Sequence, residues 1–481
     1  MSHAYWPLTA CELLDGYAEG SFSPVEVLAE CLERIAELNP LLSAFLSVND
    51  EDARRSAVAA ERAWHSRDED RPALCGVPVS VKDTLEMAGL PTTYGSLAFR
   101  DNFQPDCEIV RRLRKAGAVI IGKTNTPEFA LLSAVRNRLG SPGRNPWDLT
   151  RSCGGSSGGA AAAVAVGLGP LAVGTDSGGS IRLPAAYNGV FGMKPTYQRI
   201  PSVQQWRAAP GRSHNGPLAR TVRDGALLLQ VLAGFDARDP DSALPSCSGW
   251  PELGPAPPQT TRVAVSSGPR GVADPEVARV LADAANLLGC MGCAVNSADP
   301  PWPSEDDELQ PGVWAYSGDH VAAAESVAPG FWDRHGEDLC DYALPVYEAG
   351  RRALAWHYRR RLLEDQHYRQ QLALWFQDYD FLLTPAAGHA PRLDGEGRCA
   401  PDPFSRLLAS FNIGRNPAAV IPVAVAMSGL PLAVQIVGRI GDDLGVLRMA
   451  AALEAARPLS VARSLRWSPA GRVPSAMESV P

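Results

Sequence analysis

The sequence lacks the features that would tie it to a membrane or a nucleic acid. No apolar run reaches the roughly 18 residues that span a bilayer, and the longest, 160–173, is short and rich in glycine and alanine. No basic segment followed by an apolar one opens the chain, so no signal peptide is predicted. The net charge is −8, which argues against a broad nucleic-acid-binding face. We therefore expect a cytoplasmic protein that binds neither membranes nor nucleic acids.

Cysteine and histidine are present without the spacing that binds metals. The ten cysteines show no disulfide-like rhythm, which is typical of reduced thiols in the cytosol. Cys290 and Cys293 form one CxxC pair, and the absence of a second pair argues against zinc. The eight histidines are dispersed, and none forms HxxxH or HExxH. The sequence predicts neither a metal site nor a cofactor.

The 481 residues have an ordinary globular composition, 45% hydrophobic and 20% charged. Helix and strand signals alternate along the chain, including buried-strand patterns at 76–81, 118–121 and 419–425. This mixture predicts an α/β fold, a single large domain with a central mixed, twisted β-sheet covered by helices on both faces. The expected segments are a helical N-terminal layer (1–70), a catalytic core (71–235), a variable substrate-side excursion (240–350), and a C-terminal helix with strands that complete the sheet (351–460).

Several helices can be placed from the sequence. Ser23, Pro24 and Glu26 are typical of an N-cap, a first helical residue and a capping box. Further helices are predicted at about 51–64, 109–115 and 221–233, and one long helix at about 351–376. The segment 240–258 is rich in Pro, Ser and Gly, which favours a surface excursion.

Two glycine–serine loops are the most informative features. The first is Gly154-Gly-Ser-Ser-Gly-Gly159, and the second is Gly174-Thr-Asp-Ser-Gly-Gly-Ser-Ile-Arg182. Glycines let backbone N–H groups approach a ligand closely, and serines supply nucleophilic hydroxyl groups. Together they predict a site where developing negative charge meets backbone donors.

Two familiar patterns occur in the wrong context. Residues 117–124 satisfy GxxxxGK[ST], but a P-loop needs a strand before the first glycine and a helix after the lysine, whereas here a helix precedes and a strand lies between. Residues 154–158 satisfy the GxSxG elbow, but 145–153 do not resemble the buried strand that an elbow follows. His389 is the one histidine considered for a Ser-His-Asp esterase, which stays an alternative.

The motifs and their order resemble the amidase signature family. The matching stretches span most of the chain: 76–83, 122–125, 145–147, the two glycine–serine loops continuing through 185, 192–196, 216–221, 380–385 and 429–435. The resemblance implies a Ser–cis-Ser–Lys triad, in which Ser180 is the nucleophile, Ser156 the bridging serine in a cis peptide with Gly155, and Lys82 the base. Such enzymes cleave amide C–N bonds through a seryl acyl-enzyme.

The chemistry of these residue types agrees with that implication. A serine hydroxyl needs a neighbouring base, and a lysine that ends a buried strand can lose its charge because desolvation lowers its pKa. The resemblance also implies an oxyanion hole of backbone N–H groups at Ser177, Gly178, Gly179 and Ser180. It makes Ser157, Asp176 and Arg182 supporting groups, whose partners the spacing does not assign.

The substrate is less defined than the reaction. The glutamine-hydrolysing subunit of a tRNA-dependent amidotransferase is the nearest rival, and an inactive binding protein is the non-enzyme alternative. Around 404–417 the Asp expected in that subunit is absent, and Arg415 and Gln198 stand where glycine is usual. These departures favour a stand-alone amidase acting on a small amide and water, and a homodimer is compatible with the sequence.

The expected substrates are hydrophobic or aryl amides, with carbamates or esters as further candidates. The aromatic residues of 302–347 and nearby apolar ones could line such a pocket, although core packing explains several of them more simply. The set comprises Trp302, Trp314, Tyr316, Phe331 and Trp332, with Trp206, Leu131 and Leu132.

Overall fold

In the computed structural model, the helices predicted to start near 24 and to cover 51–64, 109–115 and 221–233 lie close to their predicted positions. The structure describes residues 5–66, 70–203, 211–244, 253–254, 261–272, 274–303, 317–457, 467–468 and 471–472. Its α-helices are α1 (Ala10–Glu19), α2 (Pro24–Leu42), α3 (Asp50–His65), α4 (Glu108–Lys115), α5 (Gly158–Ala165), α6 (Arg182–Asn188), α7 (Val222–Leu232), α8 (Pro275–Cys290), α9 (Ser317–Val327), α10 (Phe331–His335), α11 (Ala343–Arg352), α12 (Ala355–Trp375), α13 (Ser405–Ile413) and α14 (Asp443–Ala456).

Strands are short and spread over the whole chain. They are β1 (Phe45–Val48), β2 (Pro78–Lys82), β3 (Val119–Thr124), β4 (Arg144–Asn145), β5 (Asp148–Ser152), β6 (Leu171–Asp176), β7 (Phe191–Lys194), β8 (His214–Ala219), β9 (Arg262–Val265), β10 (Ala294–Ser297), β11 (Phe381–Pro385), β12 (Ala418–Val425), β13 (Pro431–Gly438), β14 (Trp467–Ser468) and β15 (Gly471–Arg472). Within the described residues, eleven of them form one sheet in the order β1-β3-β2-β6-β8-β7-β12-β13-β11-β9-β10.

The sheet is mixed, as predicted. Strands β3, β2 and β6 run parallel, as do β11, β9 and β10, whereas every other neighbouring pair is antiparallel. Parallel neighbours end at the same edge of a sheet. The carboxyl ends of β2 and β6 therefore lie side by side, and they carry Lys82 and Asp176.

Helices cover both faces of this sheet, which confirms the fold class. One apolar core packs α4, α7, α8 and α14 against one face, and a second packs α5, α6, α12 and α13 against the other. Helix α5 is buried at all eight positions. Its residues are glycine, alanine and one valine, so the helix is apolar on every side and narrow enough to lie wholly inside the protein.

The predicted helix start at Ser23 is confirmed. The Ser23 hydroxyl accepts from the Glu26 amide, the Glu26 carboxylate accepts from the Ser23 amide, and Pro24 is the first residue of α2. Three other predictions were wrong in part. The N-terminal layer also contributes β1 to the sheet, and the excursion at 240–350 contributes β9 and β10. The long helix predicted at 351–376 is two helices, because the backbone at 353–354 is extended.

Candidate active site

Lys82 and Ser156 lie against each other in the interior. The Lys82 Nζ and the Ser156 Oγ are 2.6 Å apart, and both side chains are fully buried. Lys82 ends β2, whereas Ser156 lies in the first glycine–serine loop, just before α5, and follows a cis peptide bond from Gly155. The Nζ also donates to the Thr175 hydroxyl at 2.8 Å. A base and a hydroxyl are thus held within hydrogen-bond distance.

Burial changes the chemistry of this lysine. Desolvation lowers the pKa of Lys82 from its ordinary value to about 7, and the Asp176 carboxylate opposes part of that change. An amine with a pKa near neutrality is partly uncharged at physiological pH. Lys82 can therefore accept a proton, which an ordinary surface lysine cannot do at that pH.

Two other lysines are fully buried, and both have different partners. Lys123 forms an ion pair with Asp83 at 2.9 Å and donates to Thr92. Lys194 donates to the backbone carbonyls of Pro195 and Asn416. Among the described residues, only Lys82 contacts a serine hydroxyl through its amine.

The second glycine–serine loop packs beside the first. The Ser157 amide donates to the Ser180 carbonyl at 3.1 Å, and the Ser157 hydroxyl donates to the Thr175 carbonyl at 3.1 Å. Ser180 is only partly buried, and its hydroxyl has no hydrogen-bond partner in the described part of the chain. The backbone of Ser180 therefore contacts the residue that follows Ser156, and Ser180 itself is partly exposed.

Asp176 and Arg182 form a buried ion pair that supports the second glycine–serine loop. Arg182 Nε and Nη2 donate to the two carboxylate oxygens of Asp176 at 2.9 and 3.0 Å, and both residues are fully buried. Burial favours the neutral acid, but the charge and hydrogen bonds of Arg182 outweigh it and hold the pKa of Asp176 well below its usual value. The carboxylate also accepts from the amides of Gly179 and Ile181, which fixes the loop on both sides of Ser180.

The remaining partners of Arg182 come from the C-terminal part of the chain, and sequence reasoning missed them. Its Nη1 donates to the Leu408 carbonyl at 2.9 Å and to Gln435 at 2.7 Å, and its Nη2 donates to Asn412 at 2.5 Å. Gln435 ends a stretch that was noted for its resemblance, whereas Asn412 lies in 404–417, which was noted for its departures. Thr175 directly precedes Asp176 in the second loop, and that position was the available signal for it.

The geometry of the predicted oxyanion hole differs from the expectation at Gly179. Its N–H donates to Asp176 at 2.6 Å, so it already has a partner. The amides of Ser177, Gly178 and Ser180 have none in the described part of the chain. Gly179 has a φ of +114°, and a Cβ there would lie 2.8 Å from Leu408 Cδ1. Glycine at this position therefore shapes the loop, because an L side chain fits neither the conformation nor the space.

We expect Arg182→Met to destabilise the protein by about 3–5 kcal/mol, because it leaves the Asp176 carboxylate buried without its cation. Arg182→Lys should recover part of the loss, since an ammonium keeps the charge but not the planar fork. Urea unfolding measures both. Arg54→Met is the control, because Arg54 pairs with Asp50 on the surface and should change stability by less than about 1 kcal/mol. Equal losses in the two methionine variants would contradict the buried network.

The predicted aromatic pocket is only partly described. Phe331 packs in a core cluster with Phe99, Phe129 and Tyr347, at ring-centroid distances of 5.2 to 6.2 Å. Trp302 packs edge-on against Phe411 at 6.2 Å. Core packing thus accounts for both. Trp206, Trp314 and Tyr316 lie outside the described residues, as does the side chain of Trp332.

The loop after β3 lies against the backbone of Gly155, the residue before Ser156. Leu131 packs against the same aromatic cluster, and a Cβ on Gly155 would lie 2.7 Å from the Leu132 carbonyl. The Leu132 backbone therefore approaches the first glycine–serine loop, whereas Leu131 packs in the aromatic cluster.

The structure also shows the context of the P-loop match and the GxSxG match. Residues 119–124 form β3, which follows α4, so 117–124 is not a P-loop. Strand β5 precedes the GxSxG match, but it pairs with β4 in a separate two-stranded ribbon outside the sheet. His389 interacts with Asp274 at 3.1 Å. The buried His214 uses its Nδ1 on the Arg212 carbonyl. In the described chain, neither histidine contacts a serine hydroxyl.

The two departures from glycine occur where the backbone is left-handed. Gln198 has a φ of +59° and Arg415 a φ of +64°, a conformation that costs non-glycine residues about 1–2 kcal/mol. Contacts offset the strain: Gln198 donates to both oxygens of Asp239, and Arg415 stacks over the Tyr197 ring and donates to the Gly211 carbonyl.

Comparison with known proteins gives a consistent result. The family described as Amidase matches residues 26–447. An acylamidase of Rhodococcus erythropolis is 33% identical over 473 residues, which cover 94% of this chain and 96% of that protein. One subunit of the glutamyl-tRNA(Gln) amidotransferase of Acidothermus cellulolyticus is 35% identical over 487 residues, with coverage of 93% and 94%. The crystal structure of a bacterial aryl acylamidase of the amidase signature enzymes has a TM-score of 0.86 and 27% identity, with coverage of 94% and 96%.

A buried lysine–serine pair therefore lies next to a loop that carries a partly exposed serine, and in the described chain no histidine contacts any of the three. The chain belongs to the amidase signature family, and it is an amide-hydrolysing enzyme. In the described part of the chain, no helix has the length and apolar character to cross a membrane, and no three acidic, histidine or cysteine side chains group as metal ligands would.

Proposed function

We propose that the protein is a stand-alone amidase that cleaves small hydrophobic or aryl amides through an acyl-enzyme on Ser180. The observation that carries the proposal is the buried contact of 2.6 Å between Lys82 Nζ and Ser156 Oγ. With no histidine on either serine in the described chain, the near-neutral lysine is the group suited to be the base.

In the attack step, neutral Lys82 accepts the proton of Ser156, which accepts the proton of Ser180. The Ser180 oxygen then forms a bond to the amide carbonyl carbon. Its hydroxyl turns towards Ser156 when substrate fills the site, since catalytic hydrogen bonds are often formed only in the substrate complex. The negative oxygen of the tetrahedral centre accepts hydrogen bonds from the amides of Ser177, Gly178 and Ser180.

In the second half of the reaction, Ser156 returns a proton to the leaving nitrogen, the C–N bond breaks, and the amine departs. Lys82 restores the proton to Ser156. Water then attacks the acyl group, gives its proton to the same relay, and releases the carboxylate with Ser180 regenerated. No cofactor is required, and carbamates and esters are compatible because the same acyl transfer cleaves them.

Thr175 has a positioning role in this proposal. We expect Thr175→Val to reduce kcat/KM several-fold and to move the lower midpoint of its pH profile downwards, because the lost hydroxyl oxygen stabilised the protonated amine of Lys82. A pH–rate profile measures both effects. Thr124→Val is the matched control, since Thr124 is buried at the end of the neighbouring strand and its hydroxyl contacts the Val81 carbonyl. An unchanged midpoint in Thr175→Val would contradict the role.

Purified protein should be assayed with anilides, primary aliphatic amides, carbamates and nitrophenyl esters, with the released amine or ammonia measured directly. Hydrolysis of hydrophobic or aryl amides, lost in Ser180→Ala, is the expected result. The names of the acylamidase relatives, and the absence from 404–417 of the Asp expected in the amidotransferase subunit, support this substrate class. Hydrolysis of glutamine alone, and only with added partner subunits, would favour the amidotransferase function instead.

A cytoplasmic location is part of the proposal. All nine described cysteines are free thiols, which is typical of a reducing compartment. Detection of the protein in a secreted fraction, with these thiols oxidised, would contradict it.

A further inference from the structure

The peptide bond between Ser177 and Gly178 lies in the second glycine–serine loop and carries one of the proposed oxyanion donors, the Gly178 N–H. This peptide is trans, and in a trans peptide the carbonyl oxygen and the N–H point in opposite directions within one plane. The direction of the Ser177 carbonyl therefore fixes the direction of the Gly178 N–H. A group that holds this carbonyl also decides whether the N–H faces the reacting oxygen.

Arg212 is the group that contacts this carbonyl. Its Nη2 donates to the Ser177 oxygen at 3.4 Å, and among the described residues no second donor to that oxygen is seen. The hydrogen bond is long in the free protein, but those of catalytic sites often shorten in the substrate complex. A hydrogen bond to a carbonyl also polarises the amide, which makes the N–H on its other side a stronger donor.

The peptides on either side of this one are held by other groups. In the preceding peptide, the Asp176 carbonyl accepts from Asn412 Nδ2 at 2.8 Å. In the following peptide, the Gly179 N–H donates to the Asp176 carboxylate at 2.6 Å. Neither contact acts on the atoms of the peptide between them, so its orientation depends on Arg212.

Packing does little to hold the loop at Gly178. Glycine has no Cβ to oppose rotation of the peptide that precedes it. Apart from its chain neighbours, Ala409 Cβ is the one described atom within 4 Å of a Cβ built on Gly178, at 3.9 Å. The peptide therefore has room to turn if the contact from Arg212 is lost.

The backbone of Arg212 is itself fixed by several side chains. Its carbonyl accepts from His214 Nδ1 at 2.6 Å and from Asn412 Nδ2 at 3.3 Å. In the preceding residue, the Gly211 carbonyl accepts from Arg415 Nε at 3.2 Å. A side chain that projects from such a backbone can keep a flexible peptide in one orientation.

Resting on the proposed function, we infer that Arg212 is a positioning residue, which keeps the Ser177–Gly178 peptide turned so that the Gly178 N–H faces the negative oxygen of the tetrahedral centre. It acts through this peptide rather than on the substrate. Loss of Arg212 should therefore leave substrate binding nearly unchanged and weaken the stabilisation of the tetrahedral centre. Because the amides of Ser177 and Ser180 remain, the effect should be smaller than the 10²–10³-fold typical of losing a whole donor.

The variant Arg212→Met tests the inference, with hexananilide as the substrate and 1,1,1-trifluoroheptan-2-one as the inhibitor. The ketone carries the same hexanoyl chain, and Ser180 adds to its carbonyl carbon to give a tetrahedral adduct with a negative oxygen. We expect kcat for hexananilide to fall about 10- to 100-fold while KM changes by less than about threefold. The Ki of the ketone should rise by about the factor by which kcat/KM falls, because the adduct resembles the transition state.

Two further variants separate orientation from folding. Arg212→Lys keeps a charged N–H donor and should recover part of both losses. Arg34→Met is the control: Arg34 also donates to a backbone carbonyl, that of Val166 at 2.7 Å, but lies outside both glycine–serine loops. It should leave kcat and the Ki unchanged. Thermal unfolding of every variant shows that the proteins compared are folded.

Unchanged kcat and Ki in Arg212→Met, a loss confined to KM, or equal losses in Arg34→Met would overturn the inference. Failure of the wild type to hydrolyse any amide would instead count against the proposed function. In that case the Ki of the ketone is measured by its competition with fluorophosphonate labelling of Ser180. A Ki that Arg212→Met leaves unchanged in this assay would overturn the inference, and a rise of about tenfold or more would support it.

Discussion

Ser180→Ala should abolish turnover, with a fall in kcat/KM of about 10⁴-fold or more, because the variant has no oxygen to form the acyl-enzyme. The fold should be unaffected. The Ser180 side chain is partly exposed and makes no hydrogen bond in the described chain, so its removal leaves no buried group unpaired. Steady-state kinetics and thermal unfolding of the same preparation measure the two effects separately.

A covalent probe tests the same assignment independently of the substrate. A fluorophosphonate should label Ser180, and peptide mapping should locate the label there. Ser47→Ala, a serine on the outer strand β1, should label and react as the wild type does. Labelling at Ser156 would make that serine the nucleophile instead. Normal activity in Ser180→Ala would contradict Ser180 as the nucleophile.

Lys82→Met should lower kcat/KM by about 10²–10⁴-fold, the usual contribution of a general base. Methionine keeps most of the buried stem and removes only the amine, so the effect reports on the proton acceptor rather than on packing. Ser156→Ala should have an effect of similar size, because it interrupts the path between Lys82 and Ser180. Full activity in Lys82→Met would exclude the lysine as the base.

The pH dependence of kcat/KM tests whether Lys82 acts in its neutral form. Since the neutral amine is the active form, wild-type kcat/KM should rise as the pH rises through about 7 and then level off. Lys82→Met should lose this rise in its residual activity. Lys123→Met is the control for a buried lysine: it leaves Asp83 unpaired and should reduce stability without moving the midpoint. A wild-type midpoint near the ordinary lysine pKa would contradict a desolvated base.

The free energy of unfolding should also depend on pH because Lys82 is buried. The folded-state pKa of Lys82 is below the unfolded value, so between about pH 7 and 10 the unfolded chain binds more protons than the folded one. The cost of burying Lys82 therefore decreases as the pH rises through that window. The difference in the free energy of unfolding between wild type and Lys82→Met, measured with urea at several pH values, isolates the contribution of Lys82.

Local signals were sufficient for most of the architecture. The capping box at Ser23 and the apolar strand before Lys82 depend on neighbours in sequence, and the structure has both where they were predicted. The break at 353–354 was missed because both flanking segments have helical composition. The strand β1 was missed because a four-residue strand at a sheet edge carries little periodic signal.

Part of the candidate site could likewise be predicted from the sequence, and part depended on the tertiary structure. The resemblance of the motifs and their order to the amidase signature family implied an amide hydrolase with Lys82, Ser156 and Ser180, and the chemistry of a base, a relay and a nucleophile agreed with that implication. Long-range packing decided the rest. It brings Thr175 to Lys82 across 93 residues and gives Arg182 its partners on α13 and β13. Desolvation and hydrogen bonding depend on which groups the sheet register and helix packing bring together, and no local pattern encodes that.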